Sequence, residues 1–162
     1  MLVKARNNNY IIVITIAVSL MLSIMPLPLG VDAYRPSWVL MVLIYWSLAL
    51  PNRVNVFYGW LVGLLVDALL GSTLGVNAFA CALVVYVSAN NYQKIRNFSI
   101  WQQSFIVALF IALYHLIVFW LQRFLFEVDF SISYLKPVLT SALLWFIVFL
   151  LLRKIRRQFK VH

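Results

Sequence analysis

The chain has 162 residues, of which 65% are hydrophobic and only 10% charged, and its thirteen lysines and arginines against four acids give a net charge of +9. With a mean hydropathy of +0.97 and a mass of 18.8 kDa, it carries more apolar surface than a water-soluble domain of that size can bury. An ordinary soluble enzyme or binding module is excluded. Because the apolar runs are continuous rather than alternating, an all-α polytopic membrane protein is expected, one transmembrane helical domain over 1–162, and not a β-barrel.

The first apolar run, Tyr10 to Met25, follows a polar start with Lys4, Arg6 and Asn7 to Asn9. A signal peptide has the same layout, and Val31-Asp32-Ala33 resembles a cleavage site, but a retained first helix is expected. After Pro26, Pro28 and Gly30 comes a second run, Ser37 to Leu50, framed by Pro36 and Pro51. Pro36 suits a helix start, where its missing N–H costs nothing. The third and fourth runs, Val54 to Leu70 and Leu74 to Asn90, are separated only by Gly71-Ser72-Thr73, which predicts an antiparallel helical hairpin. A fifth, Ile100 to Phe126, exceeds the roughly 20 residues a bilayer needs and is expected to tilt or project. The sixth, Leu135 to Leu152, has Pro137 in its first turn and ends in Arg153-Lys154-Ile155-Arg156-Arg157.

The second run is short: at about 1.5 Å per residue it reaches roughly 21 Å, against a hydrocarbon core of about 30 Å. Charge still favours six spans with both termini cytoplasmic. The inner side then holds Lys4, Arg6, Arg53, Lys94, Arg96, Arg153, Lys154, Arg156, Arg157 and Lys160, ten of the thirteen basic residues. All four acids, Asp32, Asp67, Glu127 and Asp129, fall at or towards the outer side. Five spans would put the basic tail outside, against the positive-inside bias. The second helix must therefore continue past Pro51 or be sheltered by its neighbours. Aromatic placement agrees, with Tyr34, Trp38, Trp120 and Tyr134 near the outer interface and Tyr10, Tyr58, Trp60, Tyr92 and Trp101 near the inner one. Trp46 and Trp145 lie deeper and read as packing residues.

Asp67 is the one acid well within a span, where an ionisable group usually faces a bundle interior, a cavity or a partner. Gly59, Gly63 and Asp67 recur every four residues and share one helix face, and two small residues so spaced let another backbone approach closely. That backbone belongs either to a partner, the role assigned to these three as partner-binding residues, or to the protein's own helices. For a partner contact, a bulky side chain at Gly63 is expected to do more harm than Asp67→Asn. His115 reads as a hydrogen-bonded interior residue, Arg123 pairs with Glu127 one turn on, and Cys81 is a small packing residue. No acid, histidine or cysteine set has metal-ligand spacing, and nucleophile–base pairs and phosphate loops are absent, so no enzyme, metal or cofactor is expected. The positive charge flanks apolar spans without a nucleic-acid fold, which points to orientation and anionic lipids. The tail Arg153, Lys154, Arg156, Arg157 and Lys160 is expected to meet anionic lipid or an acidic cytoplasmic partner.

Read whole, the block from Arg35 to Gly75 resembles the MreD family of bacterial rod-shape-determining membrane proteins. The residues that carry the likeness are Arg35-Pro36 with Trp38, Tyr45-Trp46, Leu50-Pro51 with Arg53 and Asn55, then Gly59, Gly63 and Asp67, and Gly71-Ser72-Thr73-Leu74-Gly75. A weaker likeness continues through Trp101-Gln102-Gln103 and the basic end Arg153-Lys154 with Arg156. The resemblance implies a non-catalytic subunit of the cell-elongation machinery in the bacterial inner membrane, supporting peptidoglycan synthesis beside MreC, with MreB, RodA and a class B penicillin-binding protein in the same assembly. It also implies a fold similar to the substrate-binding subunits of vitamin-uptake transporters. A small-molecule-binding transporter subunit is therefore the second reading, and polar groups facing an outer cavity, among them Asp67, Asn77 and His115, would mark it.

Overall fold

The computed structural model describes residues 9–28, 30–126 and 135–159. Among them are seven α-helices: α1 (Asn9–Ile24), α2 (Trp38–Ala49), α3 (Val56–Leu70), α4 (Val76–Asn90), α5 (Tyr92–Arg96), α6 (Ile100–Leu125) and α7 (Lys136–Gln158), with a 3-10 turn at Asp32–Tyr34 before α2. Lys4, Arg6, Glu127, Asp129, Tyr134 and Lys160 lie outside the described residues, and so does the expected Arg123–Glu127 pair.

The six apolar runs correspond to α1, α2, α3, α4, α6 and α7. Two differences have local causes. The five-residue α5 is an amphipathic turn that buries Ile95 and exposes Lys94 and Arg96. Helix α7 continues through Arg153–Arg157 to Gln158, because lysine and arginine are good helix formers and cations suit a helix C-terminus.

The short second run is the hub of the bundle. Every residue of α2 from Val39 to Leu48 is buried, and the helix packs on α1, α4, α5 and α7. A helix apolar on all sides belongs inside such a ring. It is thus sheltered rather than prolonged: α2 stops at Ala49, and Leu50 takes φ −140°, ψ 69°, since a residue before proline is pushed out of the helical region. Pro36 precedes the N-cap Ser37 instead of opening the first turn. Trp46 and Trp145 are fully buried in this core. Tyr45 stands edge-on to Trp46 and Phe149, with ring centroids 5.5 Å and 5.8 Å apart.

Outside this core the surface is apolar. Trp101 is 83% and Phe124 89% exposed, and large side chains face outward along α1, α3, α6 and α7. Such a surface suits lipid, not water. Helices α6 and α7 are long and apolar enough to cross a bilayer unaided, while α1, α3 and α4 are shorter apolar helices. The two ends of the bundle differ in charge. Arg53, Arg96, Arg153 and Arg156 gather where α2 ends and α7 terminates, whereas Asp32, Asp67, Arg35 and Lys136 lie at the opposite end.

Candidate functional site

The Gly59-Gly63-Asp67 face of α3 lies against α4. A Cβ on Gly63 would sit 2.4 Å from Ala78 Cα and 2.8 Å from Asn77 O, and one on Gly59 would sit 2.8 Å from Val85 Cγ2. The close approach expected of this stripe is therefore filled from within the chain. The turn that permits it needs glycine twice: Gly71 ends α3 at φ +62° and Gly75 opens α4 at φ +100°.

Gly75 has no side chain to cap α4, and Asp67 supplies the missing cap from the neighbouring helix. Asp67 Oδ2 accepts Gly75 N–H at 2.9 Å and Ala78 N–H at 3.2 Å. Oδ1 accepts Asn77 N–H at 3.2 Å, Asn77 Nδ2–H at 2.9 Å and Ser72 Oγ–H at 2.7 Å. An anion at a helix N-terminus, with five donors around it, resolves the cost of burying a carboxylate. Asn77 extends the network to α6 by accepting the Tyr114 hydroxyl. Sequence reading singled out Asp67 and noted Asn77. Ser72 was legible as part of the Gly71-Ser72-Thr73 turn but not as a partner of Asp67, and Tyr114 was missed, since a hydroxyl inside an apolar run is its only signal.

Several other polar side chains within the spans also join helices. Trp46 Nε1–H donates to Thr15 Oγ1 at 2.9 Å, Ser47 and Ser88 hydroxyls meet at 2.7 Å, and Ser104 Oγ–H donates to Ala142 O at 2.6 Å. His115 Nε2 lies 3.2 Å from Ser37 Oγ, and Ser37 N–H donates to Ser141 Oγ at 2.9 Å. Arg35 pairs with Asp32 at 2.7 Å and donates to the Ser23 and Met25 carbonyls at the end of α1. Cys81 is buried among these helices. No group of three metal-ligating side chains occurs among the described residues.

Two cavities stand out among the described residues. One of about 280 Å³ lies at the Asp32 end, lined by Asp32, Arg35, Ser37, Tyr114 and His115 among others. The second, about 380 Å³, lies at the basic end, where Arg96, Arg153 and Arg156 line it with Gln103, Tyr45 and Phe149. Neither contains Gly59, Gly63 or Asp67. Lys154 and Arg157 line a neighbouring, more open surface hollow on α7, with Arg153 at the boundary between the two.

The family model described as rod shape-determining protein MreD matches residues 4–155. The chain belongs to the MreD family. It is 41% identical over 145 residues to the rod shape-determining protein MreD of Haemophilus influenzae, covering 90% of each chain. No solved structure matches. MreD proteins are non-catalytic membrane proteins of rod-shape determination, and this chain is one of them. The residues that carry the MreD likeness now have physical roles. Arg35 caps α1, Tyr45-Trp46 fill the core, Pro51 stops α2, and Asn55 caps α3 by accepting Tyr58 N–H at 3.2 Å. Gln102 forms a capping box with Ser99 at the start of α6, and buried Gln103 ties α5 to α6 through the Ile95 and Phe98 carbonyls.

Proposed function

We propose that the chain is a scaffold subunit of the bacterial cell-elongation machinery, holding MreC and, in the same assembly, MreB, RodA and a class B penicillin-binding protein. The observation that carries this reading is the division of labour in the bundle. Polar side chains of different helices bond to one another inside it, as Asp67 does to Asn77, Trp46 to Thr15 and Ser47 to Ser88, while the outward faces are apolar packing surface. A protein built this way holds helices rather than transforming a ligand. The role of Gly59, Gly63 and Asp67 in partner binding is then indirect. They fix the α3–α4 hairpin so that its opposite face, with exposed Phe57, Leu61, Leu65 and Leu69, meets a partner's transmembrane helix.

Six spans with both termini cytoplasmic follow from the charge asymmetry, with the basic end inside. In that orientation Arg153, Lys154, Arg156, Arg157 and Lys160 face anionic headgroups or an acidic cytoplasmic segment of a partner. The transporter reading has less support, because the groups at the outer cavity pair among themselves: Ser37 with His115, and Arg35 with Asp32.

Purification of the tagged protein from native membranes tests the proposal. MreC should accompany the wild type and be lost from F57A/L61A/L65A at unchanged folded yield. Full retention of MreC by that variant, or absence of MreC from the wild type, would count against the scaffold.

A further inference from the structure

The cavity at the basic end has the makings of a specific site. Its three arginines come from two elements, Arg96 from α5 and Arg153 and Arg156 from one face of α7, one turn apart. None of them forms an ion pair among the described residues, and neither Asp32 nor Asp67 lines the cavity. Three cations around one hollow call for an anion.

A second observation narrows the ligand. Gln103 is only 4% exposed and lines the same cavity. Its Nε2 donates to the Ile95 and Phe98 carbonyls at 3.2 Å and 3.1 Å, which fixes the amide orientation, and its Oε1 has no hydrogen-bond partner among the described residues. A buried acceptor of this kind needs a donor. Tyr45 and Phe149, in edge contact at 5.8 Å, supply an apolar wall. The hollow exists because α2 is only 12 residues long and stops short of its neighbours. Its volume of about 380 Å³ corresponds to roughly a dozen waters.

Phosphate for the arginines, a donor for Gln103 and an apolar wall for the glycerol and acyl root together describe one chemistry. We propose that this cavity binds the phosphodiester headgroup of an inner-leaflet phospholipid bearing a hydroxyl or ammonium donor beyond its phosphate. The inner-leaflet assignment rests on the topology proposed above.

The test is native mass spectrometry of the purified full chain released from phosphatidylcholine nanodiscs doped with phosphatidylglycerol, phosphatidylethanolamine or phosphatidic acid. Phosphatidylglycerol or phosphatidylethanolamine should stay bound in preference to phosphatidylcholine, which has no donor, and to phosphatidic acid. R153Q/R156Q should reduce that retention about tenfold, and K154Q/R157Q, with the same charge loss outside the cavity, less than about twofold. Should R153Q/R156Q lower the melting temperature, R96Q repeats the test from the other element. Q103M should abolish the preference over phosphatidic acid while retaining phosphate binding. Equal losses in the two double variants, or no loss in either, overturn the site. Displacement of the lipid by inorganic phosphate would assign the cavity to the free anion and overturn the headgroup. No partner protein is present in this experiment, so its failure leaves the MreC result untouched, and the reverse holds as well.

Discussion

Gly63 of α3 and Ala78 of α4 meet backbone to backbone, so that even a methyl group on Gly63 would fall 2.4 Å from Ala78 Cα. Apolar burial gives little drive for association in lipid, and van der Waals packing at such contacts must hold the helices together. Gly63→Ala should therefore lower stability by about 1 to 3 kcal/mol through overpacking, and Gly63→Leu should abolish folded protein. Folded yield and the unfolding midpoint in detergent measure both. Unchanged yield of Gly63→Leu would mean that this face is open to a partner instead.

Asp67→Asn is not the mild change that its shape suggests. Both carboxylate oxygens accept backbone N–H groups, Oδ2 from Gly75 and Ala78 and Oδ1 from Asn77. An amide has one acceptor, so in either orientation its NH2 opposes a donor. The expected loss is about 2 to 4 kcal/mol, comparable to Gly63→Ala. Combined with Asn77→Ala it should be clearly non-additive in a double-mutant cycle of unfolding midpoints, since the two residues share one network.

Helix positions were legible because long apolar runs bounded by Pro36, Pro51 and Gly71 leave little freedom. The sheltering of α2 was one of two outcomes, and its uniformly apolar sequence is consistent with either, because only the neighbours decide what lies around a helix. The Gly59-Gly63-Asp67 stripe was visible as a packing face, but its occupant was not: small-residue spacing is the same whether the approaching backbone is internal or foreign. The reversal of the chain at Gly71-Ser72-Thr73 was legible, but the tether from Asp67 to Gly75 depends on the exact turn geometry that brings the start of α4 onto the carboxylate, and no periodicity reports that. The cavity at the basic end was hidden for a similar reason, since Arg96 and Arg153 meet only through tertiary packing.

The indole of Trp46 is fully buried and its Nε1–H has a partner in Thr15 Oγ1 at 2.9 Å, while Thr15 itself donates to Ile12 O at 2.9 Å. Thr15→Val keeps the volume and removes the acceptor. A loss of about 1 kcal/mol is expected, in the range of hydrogen bonds between membrane helices. The unfolding midpoint reads it, and Trp46 fluorescence reports whether the ring stays in its dry site.

The proposed orientation predicts which residues a membrane-impermeant thiol reagent can reach. Cys81 is buried, so a Cys81→Ala background removes the native thiol at little cost. Asp32 is exposed at one end, and Lys94 and Arg157 are exposed at the other. D32C should label in intact cells, and K94C and R157C only after permeabilisation. The basic tail should be part of what holds this arrangement, because each lysine or arginine near an anionic surface contributes about 1 kcal/mol. With Arg153, Lys154, Arg156, Arg157 and Lys160 all changed to glutamine, a cysteine at Gln158 should become labelled from outside in a measurable fraction of molecules, or the protein should accumulate less. Labelling of R157C in intact cells, with the tail otherwise unchanged, would place the basic end outside and refute the six-span orientation.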